Sequence, residues 1–409
     1  MPRRLSPSPT RFAGWPVWPA RLLLAALALS IVWGLAHPPL RDPTGQPGGG
    51  DAALYRLVAE RVAHGQPYHQ AAAEEQRGGG YPLHPFSAMR QPLLAEIGAT
   101  LGPKGADLAL CLLGVAASVA GVMRLGAGLR SPVREVAILL AATASGLLLQ
   151  PGMWVWHEAW AGLLIALALA VRSERLWWPA VVLGLIAALI RELAFPVLPI
   201  MALMAWHDRR RTEAVAWVAA AVCAIGALAW HAALVASVVQ PDDGVSPGWL
   251  VLGGWRFDLT LARQSALLVF LPPRGAAVAL PLAMLGWAGW RSGYALRVTL
   301  MLSVWLSAFL FVGRPDNGYW GFLLAPLLPI GLALAPAALR DLACSAAPLA
   351  LRRLSGETGA HSSPSASADV HSIRSLDPRT GPDAGHDRTV RGGPAPRRLH
   401  FLRAFQLRL

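Results

Sequence analysis

The sequence predicts an all-α, polytopic membrane protein, and three observations carry that prediction. Hydrophobic residues make up 55% of the 409 and charged residues only 14%, against roughly 45–50% and 25% in an ordinary soluble domain. The apolar excess is gathered into runs of about 17–25 residues, the length a helix needs to cross a roughly 30 Å hydrocarbon layer. No alternating period-2 pattern of about ten residues recurs, which argues against a lipid-facing β-barrel.

A formal charge of +13 would suit nucleic acid, but the arginines gather at the ends of apolar runs and near the C-terminus. A positive-inside bias accounts for that placement, so the expected partner is the lipid bilayer and no nucleic acid. Lys104 is the only lysine. With Ala, Gly, Pro and Arg so frequent, the bias is that of a GC-rich bacterial genome, and the expected location is a bacterial inner (cytoplasmic) membrane. Cys111, Cys223 and Cys344 fall within or just after apolar runs and share no ligand spacing, so neither a disulfide framework nor a zinc site is expected.

Arg3, Arg4, Arg11 and Arg21 precede the apolar run 22–36, and His37-Pro38-Pro39 follows it where a signal peptide would place small residues. The expectation is a retained first span with a cytoplasmic N-terminus. About ten transmembrane helices follow from the hydropathy, near 17–36, 106–126, 133–150, 159–172, 177–190, 193–206, 213–237, 272–290, 298–313 and 319–338. This threading puts Arg124/Arg130/Arg134, Arg172/Arg175, Arg209/Arg210/Arg211 and Arg291/Arg297 in the inside loops. The stretch Trp177 to Trp206 would be about 45 Å long as one helix, too long for one span. Arginines flank both its ends, which calls for a hairpin of two short helices turning at Arg191-Glu192, with Pro196 just beyond.

Three segments are left on the outside: a large first loop, 37–105; roughly 238–271, with Pro241-Asp242-Asp243-Gly244 as a turn signal; and Gly313 to Trp320. Residues 255–271, holding Arg256, Asp258 and Arg263, read as an interfacial or re-entrant helix. The transmembrane domain is therefore 1–340, and 341–409 reads as a basic, disordered cytoplasmic tail. From about Ser355 its Ser, Gly, Pro, His and Arg cannot bury enough surface to offset ordering entropy. Its end, Arg397 to Leu409, has the pattern of a basic amphipathic helix for anionic lipid. No repeat of fixed period supports an inverted-repeat transporter.

The first loop is dense in unusual residues: Gly48-Gly49-Gly50-Asp51, Tyr55, His64-Gly65-Gln66-Pro67-Tyr68, Glu74-Glu75, Tyr81-Pro82, and Arg90-Gln91-Pro92-Leu93. Loops of this size in membrane proteins usually carry function. After the glycines, Asp51 is placed to cap a helix whose apolar face is Leu54, Leu57, Val58 and Val62, lying along the membrane surface. The order Asp-x-x-x-Tyr, Gly-x-Pro-Tyr, Tyr-Pro, Arg-x-Pro-Leu resembles the first loop of the GT-C superfamily of polyprenyl-phosphate-sugar-dependent glycosyltransferases, bacterial mannosyltransferase-like members among them. Arg191-Glu192-Leu193-Ala194-Phe195-Pro196 is similar to a segment of bacterial members. The resemblance covers about residues 17–340 through short motifs.

It implies transfer of a hexose from a polyprenyl-phosphate donor to a glycan, lipid or protein acceptor of the cell envelope, on the extracytoplasmic side. Carried over, Asp51 is the candidate general base, beside the plain reading of an N-cap worth about 1 kcal/mol. Ala52 stands where many relatives have a second acid, so Glu74, Glu75 or Glu158 would have to supply one. Glu158, after Trp154, Trp156 and His157, reads either as a helix-dipole carboxylate in an aromatic belt or as a second acid beside sugar-stacking rings. A departing phosphate needs cations, and Arg90, Arg191, Arg256 and Arg314 are the outer candidates. Tyr55, Tyr68, Tyr81, His157 and Glu192 complete the expected donor and acceptor contacts. Arg191 and Glu192 interrupt apolar sequence, where charge is expensive; they either serve the site or merely hold the hairpin at the surface. The donor substrate is the polyprenyl-phosphate-linked sugar and no cofactor beyond it is certain; a divalent metal stays open but without support, since His37, His64, His69, His84 and His157 form no i,i+4 metal-binding pair. The rival from another class is a transporter or flippase for lipid-linked glycan, which should carry charges along mid-span positions. A third is a non-catalytic envelope-assembly protein.

Overall fold

The computed structural model describes residues 10–40, 50–265 and 267–347. Gly48, Gly49 and the tail from 348, with its amphipathic end, lie outside the described residues. What is described is all-helical, in thirteen α-helices: α1 (Val17–Ala36), α2 (Asp51–Ala63), α3 (Tyr68–Gly78), α4 (Leu93–Gly128), α5 (Val133–Ala144), α6 (His157–Val171), α7 (Trp178–Ile190), α8 (Val197–His207), α9 (Arg211–Ala236), α10 (Gly254–Ala262), α11 (Gly275–Gly289), α12 (Gly293–Phe309) and α13 (Gly331–Ala346). Four apolar stretches are long enough to cross a membrane: α1, Phe86–Gly128, α9 and Leu328–Ala346. Five further apolar helices have 10–17 residues. This is a membrane protein by the length and composition of its helices.

The first loop is folded. Gly102, with φ +67°, breaks the long helix so that Pro103 opens its second half, which is why the first loop ends at about the expected place while α4 begins ten residues earlier, at Leu93. Within the loop Leu54, Val58, Tyr68, Ala71, Ala72, Leu83 and Met89 form a small core of their own with Val235 of α9. Leu57, expected on that apolar face, is 46% exposed. The face turns instead through Leu54, Val58 and Val62, the i, i+4, i+8 row of one helical stripe.

Side-chain staples distinguish two ends of the bundle. At one end Arg172, just after α6, grips Glu213 of α9 at 2.9 and 2.8 Å, and Arg210 donates to the Glu174 carbonyl. Arg297 of α12 reaches Asp208, just after α8, at 3.1 Å, and the Thr10 N–H donates to Asp341 of α13 at 2.8 Å. The two ends of the 178–207 stretch therefore lie together, and the helix breaks at Arg191, so the expected hairpin forms. At the other end lie the first-loop helices, α10 and residues 311–320.

The last expected span, 319–338, is displaced. Residues Pro315–Leu323 and Leu328–Ile330 make short helical turns, and the long helix starts only at Gly331 and runs past 340 to Ala346. Pro315, Pro326 and Pro329 withhold backbone donors from a continuous helix. The apolar run 319–330 is instead a buried plug, with Tyr319, Trp320, Leu323, Leu324 and Leu328 almost without exposure. Likewise α10 is a nine-residue helix, about 14 Å long and too short to cross a bilayer.

Close helix packing depends on glycine. A Cβ on Gly286 of α11 would meet the Gly331 carbonyl oxygen at 2.0 Å, and one on Gly331 would meet that of Ala283 at 2.1 Å. Backbones in contact are the membrane solution to helix association, where lipid offers no hydrophobic drive. A Gly286→Ala substitution should therefore lower the thermal unfolding midpoint in detergent. Gly226→Ala, where a Cβ meets nothing within 4 Å, should leave it unchanged or raise it, because alanine is the better helix former by up to about 1 kcal/mol. Equal midpoints for the two variants would refute the close-packing account.

Candidate functional site

A cavity of about 170 Å³ opens at the end that carries the first loop, between α2, α3 and the 314–319 turn. Seven of the residues singled out in the sequence line it: Asp51, Tyr55, Tyr68, Tyr81, Arg90, His157 and Arg314. Segments almost 270 residues apart meet there, since Tyr319 donates its hydroxyl proton to Asp51 Oδ2 at 3.1 Å.

Asp51 is the first residue of α2, and Gly50 occupies the cap position with no side-chain cap hydrogen bond. The plain N-cap reading is thereby corrected: the carboxylate lies one position too far into the helix and turns into the cavity toward Tyr319. Gly50 packs directly against the Tyr81 hydroxyl, which a Cβ there would meet at 2.2 Å and displace. Burial raises the Asp51 carboxyl above the usual aspartate range, against the opposing pull of Arg90 and the Tyr319 hydrogen bond. A carboxyl held upward in this way is a better proton acceptor near neutrality than a solvated one.

Arg90 is held by its neighbours. Its Nε donates to Tyr55 Oη at 3.1 Å and its Nη2 to Tyr319 Oη at 3.3 Å. The Tyr68 hydroxyl donates to the Arg90 carbonyl at 2.6 Å. Burial pushes the Tyr55 phenol up to about 12, so it stays protonated and serves as a neutral partner for the guanidinium. One residue earlier, the Met89 carbonyl accepts from His231 Nε2 at 3.1 Å, and His69 bonds the other ring nitrogen at 3.1 Å. Burial, then the neighbouring His231, lowers His69 to about 4, leaving it a neutral strut between α3 and α9.

Beneath the cavity lie the remaining expected residues. Arg191 and Glu158 are each 1% exposed and joined at 2.6 Å. Arg191 also bonds Glu192, which lies 3.7 Å from Arg90 Nη1, and its guanidinium sits 5.7 Å from the centre of the Trp320 ring. Arg191 and Glu158 thus support the site from below and do not line it. His157 meets Tyr55 edge-on at 5.0 Å.

Other expectations are redistributed. Glu74 and Glu75, offered as partners for Asp51, pair with Arg61 on the exposed surface and are absent from the cavity wall. The second acid that does line it is Asp316, which takes Arg314 in a fork at 3.2 and 2.8 Å. Arg256 reaches the Pro38 carbonyl at 3.0 Å and lies outside the cavity. Tyr319, Asp316, Asn317, Trp249, Ser246 and Gln76 were not singled out in the sequence. The signal for three of them was the polar turn Pro315-Asp316-Asn317-Gly318-Tyr319 set between apolar runs. Trp154, on the opposite wall, is held by Asp107, which accepts from the Gly152 and Trp154 N–H groups. Among the described residues no group of three or more His, Cys, Asp or Glu is disposed to hold a metal.

No family model, curated protein or solved structure matches the chain.

The buried pair sets a stability prediction. Arg191→Met should cost about 3–5 kcal/mol by stranding the Glu158 charge. The double variant Arg191→Met/Glu158→Gln should recover most of that in thermal unfolding. Additive losses would mean that the two charges are not coupled.

Proposed function

We propose that this protein is a membrane glycosyltransferase of the GT-C kind, moving a hexose from a polyprenyl-phosphate donor to an envelope glycan, lipid or protein. The observation that carries this reading is the convergence of a half-buried first-loop carboxyl, an arginine clamped by phenols and a second arginine in one polar, aromatic-walled cavity. The fuller arrangement belongs to the same proposal: about ten spans, both termini cytoplasmic, and the cavity on the extracytoplasmic side of a bacterial inner membrane. It is supported by Arg11, Arg21, Arg172, Arg210 and Arg297, which lie at the end away from the cavity.

In the proposed reaction Asp51 takes the proton of an acceptor hydroxyl as its oxygen attacks the anomeric carbon. The bond from that carbon to the phosphate oxygen breaks, and the electron pair leaves on the polyprenyl phosphate. Tyr319 occupies one carboxylate oxygen, Oδ2, and leaves Oδ1 for the acceptor. Arg314, the more exposed of the two cavity arginines (28% against 10%), meets the phosphate, while Arg90 orders the phenols that set the Asp51 environment. Trp154 and Trp249 supply faces on which a sugar ring can pack. Glu158 acts through Arg191 and does not touch substrate.

The test is transfer of labelled hexose from a polyprenyl phosphate by purified protein. Asp51→Asn should abolish transfer while the unfolding midpoint is kept; retained transfer would remove Asp51 from the role. Failure of transfer by the parent protein, with lipid-linked oligosaccharide crossing vesicles in its presence, would establish the transporter instead.

A pH profile adds a second check. A base works only when deprotonated, so the rate should rise with pH through the Asp51 value, which burial places above the usual aspartate range. Tyr319→Phe removes a hydrogen bond that favours the charged form. Its rising limb should therefore move to higher pH, with transfer retained above it. An unmoved limb would show that Asp51 does not set the profile.

A further inference from the structure

Between Asp243 and Arg256 the chain carries no charge, reading Gly-Val-Ser-Pro-Gly-Trp-Leu-Val-Leu-Gly-Gly-Trp over 244–255. This stretch crosses the cavity end as an extended strap. It is tied to the first loop where the Ser246 N–H donates to the His84 carbonyl at 2.7 Å, and to the end of α12 where the Gly313 N–H donates to Trp249 at 2.8 Å and the Gly254 N–H to Leu310 at 3.0 Å. One side of the strap, through Ser246 and Trp249, closes the cavity wall. The other side presents Val245, Leu250 and Leu252, with Leu250 87% and Leu252 77% exposed, beside Phe311 at 60%.

So exposed an apolar surface needs a partner, and its depth identifies one. The strap descends alongside the last turn of α12 and enters α10, whose Trp255 Nε1 donates to the Ser30 carbonyl at 3.2 Å. Ser30 lies six residues before the end of the apolar helix α1, about 9 Å below it. Leu259 of α10 packs on Gly34 of the same helix. The strap thus borders the level of α1 and α12, two helices whose outer sides are apolar and exposed. Irregular backbone is tolerated near lipid only when its polar groups are bonded internally. Here the N–H groups of Ser246 and Gly254 bond to the first loop and the end of α12, and those of Gly248, Val251 and Gly253 bond within the strap. Those of Val245, Leu250 and Leu252 have no partner among the described residues, which suits the hydrated headgroup boundary and not the acyl core.

We propose that Val245, Leu250 and Leu252, with Phe311, are inserted at the headgroup–acyl boundary of the leaflet on the cavity side. The strap is then both a wall of the cavity and a membrane contact, so the cavity lies open to the bilayer surface and not only to bulk water. This inference depends on the placement of the helices in the membrane and not on sugar transfer.

The test is a single probe on a background with Cys111, Cys223 and Cys344 replaced by serine. Leu250→Cys and, separately, Leu252→Cys are labelled with an environment-sensitive NBD fluorophore in liposomes containing doxyl-labelled phospholipid. Glu74→Cys, on the exposed face of α3, serves as the water-facing control. The strap probes should emit to the blue of the control, lose intensity to lipid carrying doxyl near the headgroup, and resist aqueous iodide. Strap probes that behave like the control would overturn the proposal. So would probes shielded from both quenchers, since a protein surface would then cover the patch.

Discussion

A guanidinium with 1% exposure has few stable arrangements, and Arg191 takes one of them. It binds Glu158 and Glu192 and lies over the Trp320 ring, which satisfies the charge without water. The cost of removing two ions from water makes such a pair a poor source of net stability, but each partner becomes indispensable to the other. In doing so it locks the start of α6, the end of α7 and the buried plug into one register. The cavity is built on that register. Glu192 touches Arg90, Arg90 holds Tyr55 and Tyr319, and Tyr319 holds Asp51.

Charge at the other end of the bundle is arranged for a different purpose. There Glu213 is shared by Arg172 and Arg210, Asp208 holds Arg297, and Asp341 holds the Thr10 backbone. These contacts join helices whose sequence neighbours are far apart and fasten the N-terminal segment to α13. Around the cavity the same chemistry is bent inward, with phenols and carbonyls taking the place of solvent.

The strap and the plug show how irregular backbone is accommodated in such a protein. The plug fits because glycine admits backbone contact: a Cβ on Gly321 would meet the Leu261 carbonyl oxygen at 2.1 Å, and one on Gly162 the Phe322 carbonyl at 2.6 Å. The strap is held where its Ser246 and Gly254 N–H groups donate to the first loop and the end of α12 and its Gly244 and Trp249 carbonyls accept from Leu83 and Gly313. Each brings a polar or aromatic side chain to the cavity from a segment that hydropathy alone would place in lipid or in water.

Asp51, Tyr55, Tyr68, Tyr81, Arg90, His157 and Arg314 were singled out through the family resemblance, and the structure brings them to one cavity wall. Helix class, a first-loop helix opening at Asp51 and the break at Arg191 were legible in the residues themselves. They follow from local causes: apolar run length, proline and glycine as breakers, and polar residues placed where water or a partner is obligatory. What was not legible depended on distant partners. Nothing local says that Leu57 faces outward, that 319–330 is core and not span, or that Glu74 and Glu75 turn to Arg61. Nor does the sequence around Asp51 reveal Tyr319 or Asp316. An apolar run looks the same whether it meets lipid or protein, and an aspartate at a helix start looks the same whether it caps or turns inward. Only the packing of α2, the plug, the start of α6 and the α7–α8 turn against one another, with its buried charges needing specific partners, decided those alternatives.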